Sequence, residues 1–256
     1  MIIDAILTPA ELPALMKRDL RSTTCVVIDV LRATSSMLTA LQNGAREIHP
    51  VAEIEEALAL KTRLPSALLA GERRGVRIQK DLTGSVDFDL GNSPRDFTAS
   101  AVGDRPIIWT TTNGTRALRA CAHAERILLG ALLNLRTLAE LLERMEPPHL
   151  TLVCAGTIEE PAFEDIFTAG ALIDALMRRH VRVECEDSAQ VVWRTFCHTG
   201  DDQRSLIESS LNARRLLQKP DLAPDVPICL EVNSVPLIAA MNRDGVITSC
   251  SDRPRD

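Results

Sequence analysis

The 256-residue chain contains no tyrosine, and its aromatic residues amount to only 3%. That scarcity leaves too few flat side chains for the stacking platforms with which proteins hold single-stranded nucleic acid. A formal net charge of −6 argues the same way against a phosphate-backbone binder. Long hydrophobic runs are missing too: the apolar run around Cys25–Val30 stops far short of the ~20 residues that a membrane helix needs. No basic segment followed by an apolar stretch opens the sequence, so a cytoplasmic protein without membrane contact is expected. The seven cysteines are odd in number and include no Cys-x-x-Cys pair. They read as reduced thiols and small hydrophobes, not as a disulfide framework or a structural zinc site.

Several catalytic signatures are absent. No G-x-x-x-x-G-K-[ST] loop is present, which excludes a P-loop nucleotide hydrolase, and no G-x-S-x-G elbow marks a serine hydrolase. A cysteine phosphatase needs Cys-x₅-Arg, whereas Arg32 stands one position too far from Cys25. The Asp-x-Asp of aspartyl phosphatases fails because Leu31 follows Asp29 at the critical place. "EDIFTAG" looks like the catalytic helix of ribokinase-type enzymes, but Pro161-Ala162-Phe163 replaces the glycine-rich anion hole before Asp165. The five histidines are dispersed, with no pair at metal-ligand spacing.

What is present is an alternation of short apolar runs with amphipathic segments. "TCVVIDV", "REIHPV", "ALLAGE", "RPIIWT", "RILLGA" and "LTLVCAG" read as strands. Between and after them lie helical patterns, among them "TSSMLTALQNG" with Thr34 or Ser35 near its N-cap, "FEDIFTAGALIDALMRRH" and "SLIESSLNARRLLQ". "VPICLEV", "VPLIAAMN" and "GVITSC" read as closing strands, and residues 71–94 as a long loop or hairpin. Continuously apolar strands separated by helices predict an α/β fold, a three-layer α/β/α arrangement around a largely parallel or mixed central sheet. No Pro/Gly/Ser linker divides the chain, so a single domain over residues 1–256 is expected.

Three strand-to-helix turns could carry chemistry: "VVIDVLRATSS", "IIWTTTNGT" and "LVCAGTIEEPAFED". In open α/β sheets ligands bind outside the carboxyl ends of strands. Asp29 and Arg32 offer a carboxylate for Mg²⁺ and a guanidinium for phosphate oxygens, although the same residues suit a capping and ion-pair role. In the second turn Thr111, Thr112, Asn113, Gly114 and Thr115 suit an anion held at a helix start, or a simple cap after β-branched strand residues. Glu72 between glycines is a further oxygen donor, and Asn92 and Ser93 form a polar turn. Glu164 and Asp165 open a helix, where acids also favour the macrodipole. They fall beside Cys154 and Gly156 at a strand end, where an acid pair could hold a metal or activate water.

Taken in order, "DVLRATSS", "GERRG" with "FDLGNSP", "TTTNGT", "LVCAG" and "FEDIFTAGAL" resemble the 2-phosphosulfolactate phosphatase family, from Asp29 to Leu172. The resemblance implies Mg²⁺-dependent hydrolysis of 2-phospho-3-sulfolactate to 3-sulfolactate and phosphate, a step of coenzyme M biosynthesis. On that reading the catalytic residues are Asp29, Arg32, Glu164 and Asp165. Asp29, Glu72 and Asp165 hold the metal. The substrate, a small anionic phosphate ester, meets Thr34, Asn92, Ser93, Thr111–Thr115, Cys154 and Gly156. A covalent route through Asp29 or Cys154 stands beside direct attack by water. A small-molecule kinase or other phosphoryl-transfer enzyme is an alternative, as is a non-catalytic sensor of phosphorylated or sulfonated acids. The apolar closing strands also offer a contact for a homo-oligomer.

Overall fold

The computed structural model describes residues 1–200 and 202–250. Its strands are β1 (Ile2–Ile6), β2 (Thr23–Ile28), β3 (Glu47–Pro50), β4 (Leu68–Arg73), β5 (Val76–Arg77), β6 (Pro106–Thr110), β7 (Arg126–Gly130), β8 (His149–Cys154), β9 (Glu184–Cys185), β10 (Ile238–Met241) and β11 (Ile247–Cys250). They form one mixed sheet in the order β5-β4-β6-β3-β11-β10-β7-β2-β8-β1-β9. Two parallel blocks, β4-β6-β3 and β7-β2-β8-β1-β9, are joined through the antiparallel β10–β11 pair.

Alternation along single strands shows why both faces need covering. In β2, Cys25 and Val27 enter one core with the helices Ala33–Gln42 and Gly114–Ala120. Val26 and Ile28 enter another, with the helices Leu135–Met145 and Phe163–Arg178. In β4 and β6, Leu69 and Ile108 turn toward the helix Ile54–Arg63, while Leu68, Ala70, Ile107 and Trp109 join the first core. The result is the three-layer α/β/α arrangement, with a mixed sheet. β2 and β6 run in opposite senses and lie five strand intervals apart. The turns that follow them nevertheless meet: a Cβ on Gly114, after β6, would lie 2.6 Å from Asp29 Oδ2, after β2.

Some elements differ from expectation. "VPICLEV" is a helix, Asp225–Cys229, preceded by Pro224 and with Pro227 in its first turn. Proline is tolerated there but cannot donate to a strand ladder, which settles the contest against a strand. "SLIESSLNARRLLQ" divides into helices Gln203–Glu208 and Leu211–Leu217, because the Ser210 hydroxyl accepts the Ala213 amide and starts the second. The helix after β2 begins at Ala33 with Arg32 as its N-cap residue, so neither Thr34 nor Ser35 caps it. Residues 71–94 contain the tight β4–β5 turn and a short helix, Lys80–Thr83. β1 and β9 add a further edge beyond the expected strands, with β1 paired to β8 and β9 paired to β1.

Gly71 carries β4 past β6 at a distance that no side chain allows. A Cβ there would lie 2.1 Å from the Thr110 carbonyl oxygen, and the backbone has φ +153°. Because the obstacle is backbone, Gly71→Ala is expected to destabilise the protein by about 1–3 kcal/mol. Urea unfolding checks this; a loss below about 0.5 kcal/mol would show that β4 can move away from β6 at no cost.

Candidate active site

The chain turns away from β2 at Asp29, whose Oδ1 accepts the Ala33 amide at 3.0 Å. Its Oδ2 lies against Gly114, where an added Cβ would come within 2.6 Å of it. Glycine at position 114 thus lets the start of one helix approach the carboxylate at the end of β2. Thr34 is wholly buried and locks this corner: its hydroxyl accepts the Asp29 amide and makes 2.8 Å contacts to the carbonyls of Asp29 and Gly130. It does not reach the cavity beyond.

That cavity, of about 290 Å³, is lined by Asp29, Arg32, Glu72, Asn92, Thr111, Thr112, Asn113 and Gly156 among others. Arg32 is only 3% exposed. Its Nη1 donates to Asp225 Oδ2 at 2.5 Å and its Nη2 to the Gly75 carbonyl at 2.8 Å. Asp225, fully buried, also accepts from Ser93 Oγ at 2.6 Å and Arg95 Nε at 2.7 Å. Ser93 therefore serves the carboxylate behind Arg32 and does not line the cavity.

The threonine turn binds an anion, but the anion is the protein's own. Glu72 Oε1 accepts the Thr112 amide at 2.8 Å, and its Oε2 accepts the Gly75 amide at 2.6 Å. Thr111 and Thr115 satisfy each other's amides with their hydroxyls. The Asn113 amide side chain bridges to the neighbouring loop, donating to the carbonyls of Ala155 and Ile158 at 2.9 Å and accepting the Ile158 amide. Thr115 and Gly114 stand behind the lining residues.

Glu164 and Asp165 sit deeper. Asp165 accepts the Val30 amide at 2.8 Å and the Gly156 amide at 3.0 Å, tying the β2 and β8 turns together. Glu164 accepts from Ser210 Oγ at 2.9 Å and Asn212 Nδ2 at 2.8 Å, and borders a second, smaller cavity. Cys154 is buried, and burial together with Asp165, Glu11 and Glu164 pushes its thiol well above the ordinary range. It stays protonated and is a poor nucleophile. Burial is also the main cause that raises Asp29, to about 7, with Glu72 and Glu164 adding repulsion against the Ala33 hydrogen bond and Arg32. Asp165 rises well above the carboxylate range for the same reasons.

Of the three acids expected to hold a metal, Asp29 and Glu72 line the cavity and Asp165 does not. Among the described residues no three His, Cys, Asp or Glu side chains gather as a metal-holding group. Two further cavity oxygens, Asn92 Oδ1 and Thr112 Oγ1, are buried without a partner. Two carboxylates with an unpartnered amide oxygen and hydroxyl form an all-oxygen set. That chemistry suits Mg²⁺, which takes one or two carboxylates and keeps waters or substrate oxygens in its other positions.

The model of the 2-phosphosulpholactate phosphatase family matches residues 7–244. The chain belongs to this family. A Caldanaerobacter subterraneus protein named probable 2-phosphosulfolactate phosphatase is 35% identical over 237 residues, covering 92% of this chain and 94% of its own. Similarly named proteins from Clostridium acetobutylicum and Thermotoga petrophila are 33% and 37% identical, over 93% and 80% of this chain and 96% and 83% of their own. Membership makes this phosphatase-family chain an enzyme, a phosphoric monoester hydrolase. Among its described residues no helix is long and apolar enough to cross a membrane.

Asp225 supports Arg32, and Arg74, Asn212, Arg215 and Lys219 line the cavity, yet no local pattern gives any of them a site role. Asp225 stands just before the apolar run "VPICLEV", Arg74 falls within "GERRG" beside the more conspicuous Glu72, and Asn212, Arg215 and Lys219 lie in or just after a helical pattern that resembles any solvated face. Removing Asp225 leaves the Arg32 guanidinium buried without its counter-ion. Asp225→Ala should therefore cost about 3–5 kcal/mol in urea unfolding; a loss under about 1 kcal/mol would mean that Arg32 escapes to water.

Asp29 generates a second expectation. Its folded carboxyl titrates above the ordinary value of 3.8, so the folded chain holds a proton that the unfolded chain releases. That contribution is complete at and below about pH 4 and disappears as the pH rises through about 7. The melting temperature of the metal-free protein should fall across that window, and Asp29→Asn should flatten the slope. An equal slope in the variant would assign the dependence to another group.

Proposed function

We propose that the enzyme hydrolyses a small phosphorylated hydroxy acid, 2-phospho-3-sulfolactate, releasing 3-sulfolactate and phosphate with the help of Mg²⁺. The observation that carries this reading is the meeting of Asp29, Arg32, Glu72, Asn92 and the 111–113 turn in one cavity lined by the turns after β2, β6 and β8, in a chain of this family. The substrate is taken from the names of the relatives.

Asp29 and Glu72 would hold the metal, with Asn92 Oδ1 and Thr112 Oγ1 within the same lining. Bound there, Mg²⁺ supplies positive charge where negative charge builds on the phosphoryl oxygens. Arg32 presents its guanidinium to the phosphoryl group and cannot swing away, because Asp225 and the Gly75 carbonyl hold two of its nitrogens. Asp29 Oδ1 is committed to the Ala33 amide, which leaves Oδ2 to orient the attacking water. The water oxygen forms the new P–O bond as the P–O bond to the alkoxide opposite it breaks; one proton of the water ends on the alkoxide, giving the hydroxyl of the product, and the other stays with the phosphate. Phosphoryl transfer requires little beyond such positioning and charge stabilisation. Glu164 and Asp165 act from behind, holding the 210–212 segment and the β2 and β8 turns.

Phosphate release from 2-phospho-3-sulfolactate, measured with Mg²⁺ and with a chelator, tests the reading. Activity should require the metal and fall about 10²–10⁴-fold in Asp29→Asn, with the circular dichroism spectrum retained. Turnover unchanged in that variant, or undiminished by the chelator, would overturn it.

A further inference from the structure

One side chain links Glu164 to the turn that carries Asp29 and Arg32. Asn212 stands in the first turn of the helix Leu211–Leu217 and lines both cavities, at the boundary it shares with Thr157, Ile158 and Arg215. Its Nδ2 donates twice, to the Leu31 carbonyl at 2.9 Å and to Glu164 Oε1 at 2.8 Å. A carbonyl can only accept, so the orientation of the Asn212 amide is settled, with its nitrogen toward the turn after β2. A carboxylate in its place would set oxygen against oxygen at both contacts.

The backbone of that turn shows what the link does. The carbonyls of Asp29 and Val30 are met by the helix that follows them, through the Thr34 amide and hydroxyl and through Ser35 Oγ. The Leu31 carbonyl, in a residue that is nearly buried, is met from outside by Asn212. It belongs to the peptide unit that enters Arg32, and the next amide along, that of Ala33, holds Asp29 Oδ1. The far end of Arg32 is fixed separately, by Asp225 and the Gly75 carbonyl. A peptide that rotates at Leu31 therefore moves the Ala33 amide, and with it the Asp29 carboxylate, against a guanidinium that stays in place. Glu164 has a second donor in Ser210 Oγ, which also accepts the Ala213 amide. Ser210 thus docks and caps the helix, and Asn212 is the residue that reaches the turn.

We propose that Asn212 is a positioning residue for phosphoryl transfer: its amide nitrogen holds the Leu31 carbonyl and thereby the alignment of the Asp29 carboxylate with the Arg32 guanidinium. The inference rests on the phosphomonoesterase reading of the cavity. Where catalysis consists mainly of placing groups, a displacement of about 1 Å can cost about 10²-fold in rate. The loss falls on the reacting arrangement and so on kcat, because the cavity walls that admit the ester are left standing.

Two variants of the full chain separate this role from mere docking of the helix. Asn212→Ala should lower kcat for phosphate release from 2-phospho-3-sulfolactate with Mg²⁺ about 10²-fold, with KM changed less than about threefold. Ser210→Ala removes the other Glu164 donor and the helix cap. It should lower the melting temperature yet keep kcat within about threefold. Hydrogen exchange followed by mass spectrometry reads the turn itself: amides 29–36 should exchange about tenfold faster in Asn212→Ala, and those of β7 should not change in either variant. Unaltered kcat in Asn212→Ala, an equal loss of kcat in Ser210→Ala, or unaltered exchange over 29–36 would each overturn the proposal. Faster exchange over 29–36 in Asn212→Ala, in a chain whose unaltered form releases phosphate from no ester, would sink the phosphatase reading and leave the hold of Asn212 on the turn standing.

Discussion

The Arg32–Asp225 pair is the interaction on which the rest of the site depends. Both groups are out of water, and Asp225 is shared among Arg32, Ser93 and Arg95. A buried guanidinium survives only with a counter-charge and filled donor sites, and the Gly75 carbonyl supplies the remaining contact. One carboxylate thereby ties the turn after β2 to the polar turn at Ser93 and to the helix Asp225–Cys229. Arg32 comes three residues after Asp29, so fixing the guanidinium also constrains the backbone that aims the Asp29 carboxylate.

Carboxylate burial is the second constraint. Asp29, Glu72, Glu164 and Asp165 are all nearly inaccessible, and each receives at least one hydrogen bond from a backbone amide or a neutral side chain. Such donors soften but do not cancel the cost of burying an anion, and the neighbouring carboxylates add repulsion, so Asp29 and Asp165 rise. The acids divide by what their oxygens do. Asp165 spends both on the amides of two different strand turns and functions as a brace. Asp29 and Glu72 face the cavity.

Much of this was legible from local pattern. The apolar runs located β2, β6 and β8, because strands covered on both faces need unbroken hydrophobic sequence. The turns after those strands held the cavity residues Asp29, Arg32, Thr111–Asn113 and Gly156, since loops at the carboxyl edge are where an α/β sheet leaves room for a ligand. Other residues of the same motifs were recognised, yet they lie one layer back. Thr34, Ser93, Thr115, Cys154 and Asp165 support or pack behind the residues that line the cavity. A sequence motif contains both kinds because adjacent residues in a turn point in different directions, and only packing reveals which faces the opening.

The sequence by itself determined the layers, the positions of the main strands and helices, and the family, for these follow from periodicity and from ordered short motifs. The tertiary structure alone decided that "VPICLEV" is a helix, that Asp225 meets Arg32 across 193 positions, and that Arg74, Arg215 and Lys219 share a cavity with Asp29. Periodicity reports which side of an element is buried; it carries no record of which distant element does the burying. The packing of the helices Leu211–Leu217 and Asp225–Cys229 beside the strand turns sets those meetings, and that packing is a property of the assembled chain.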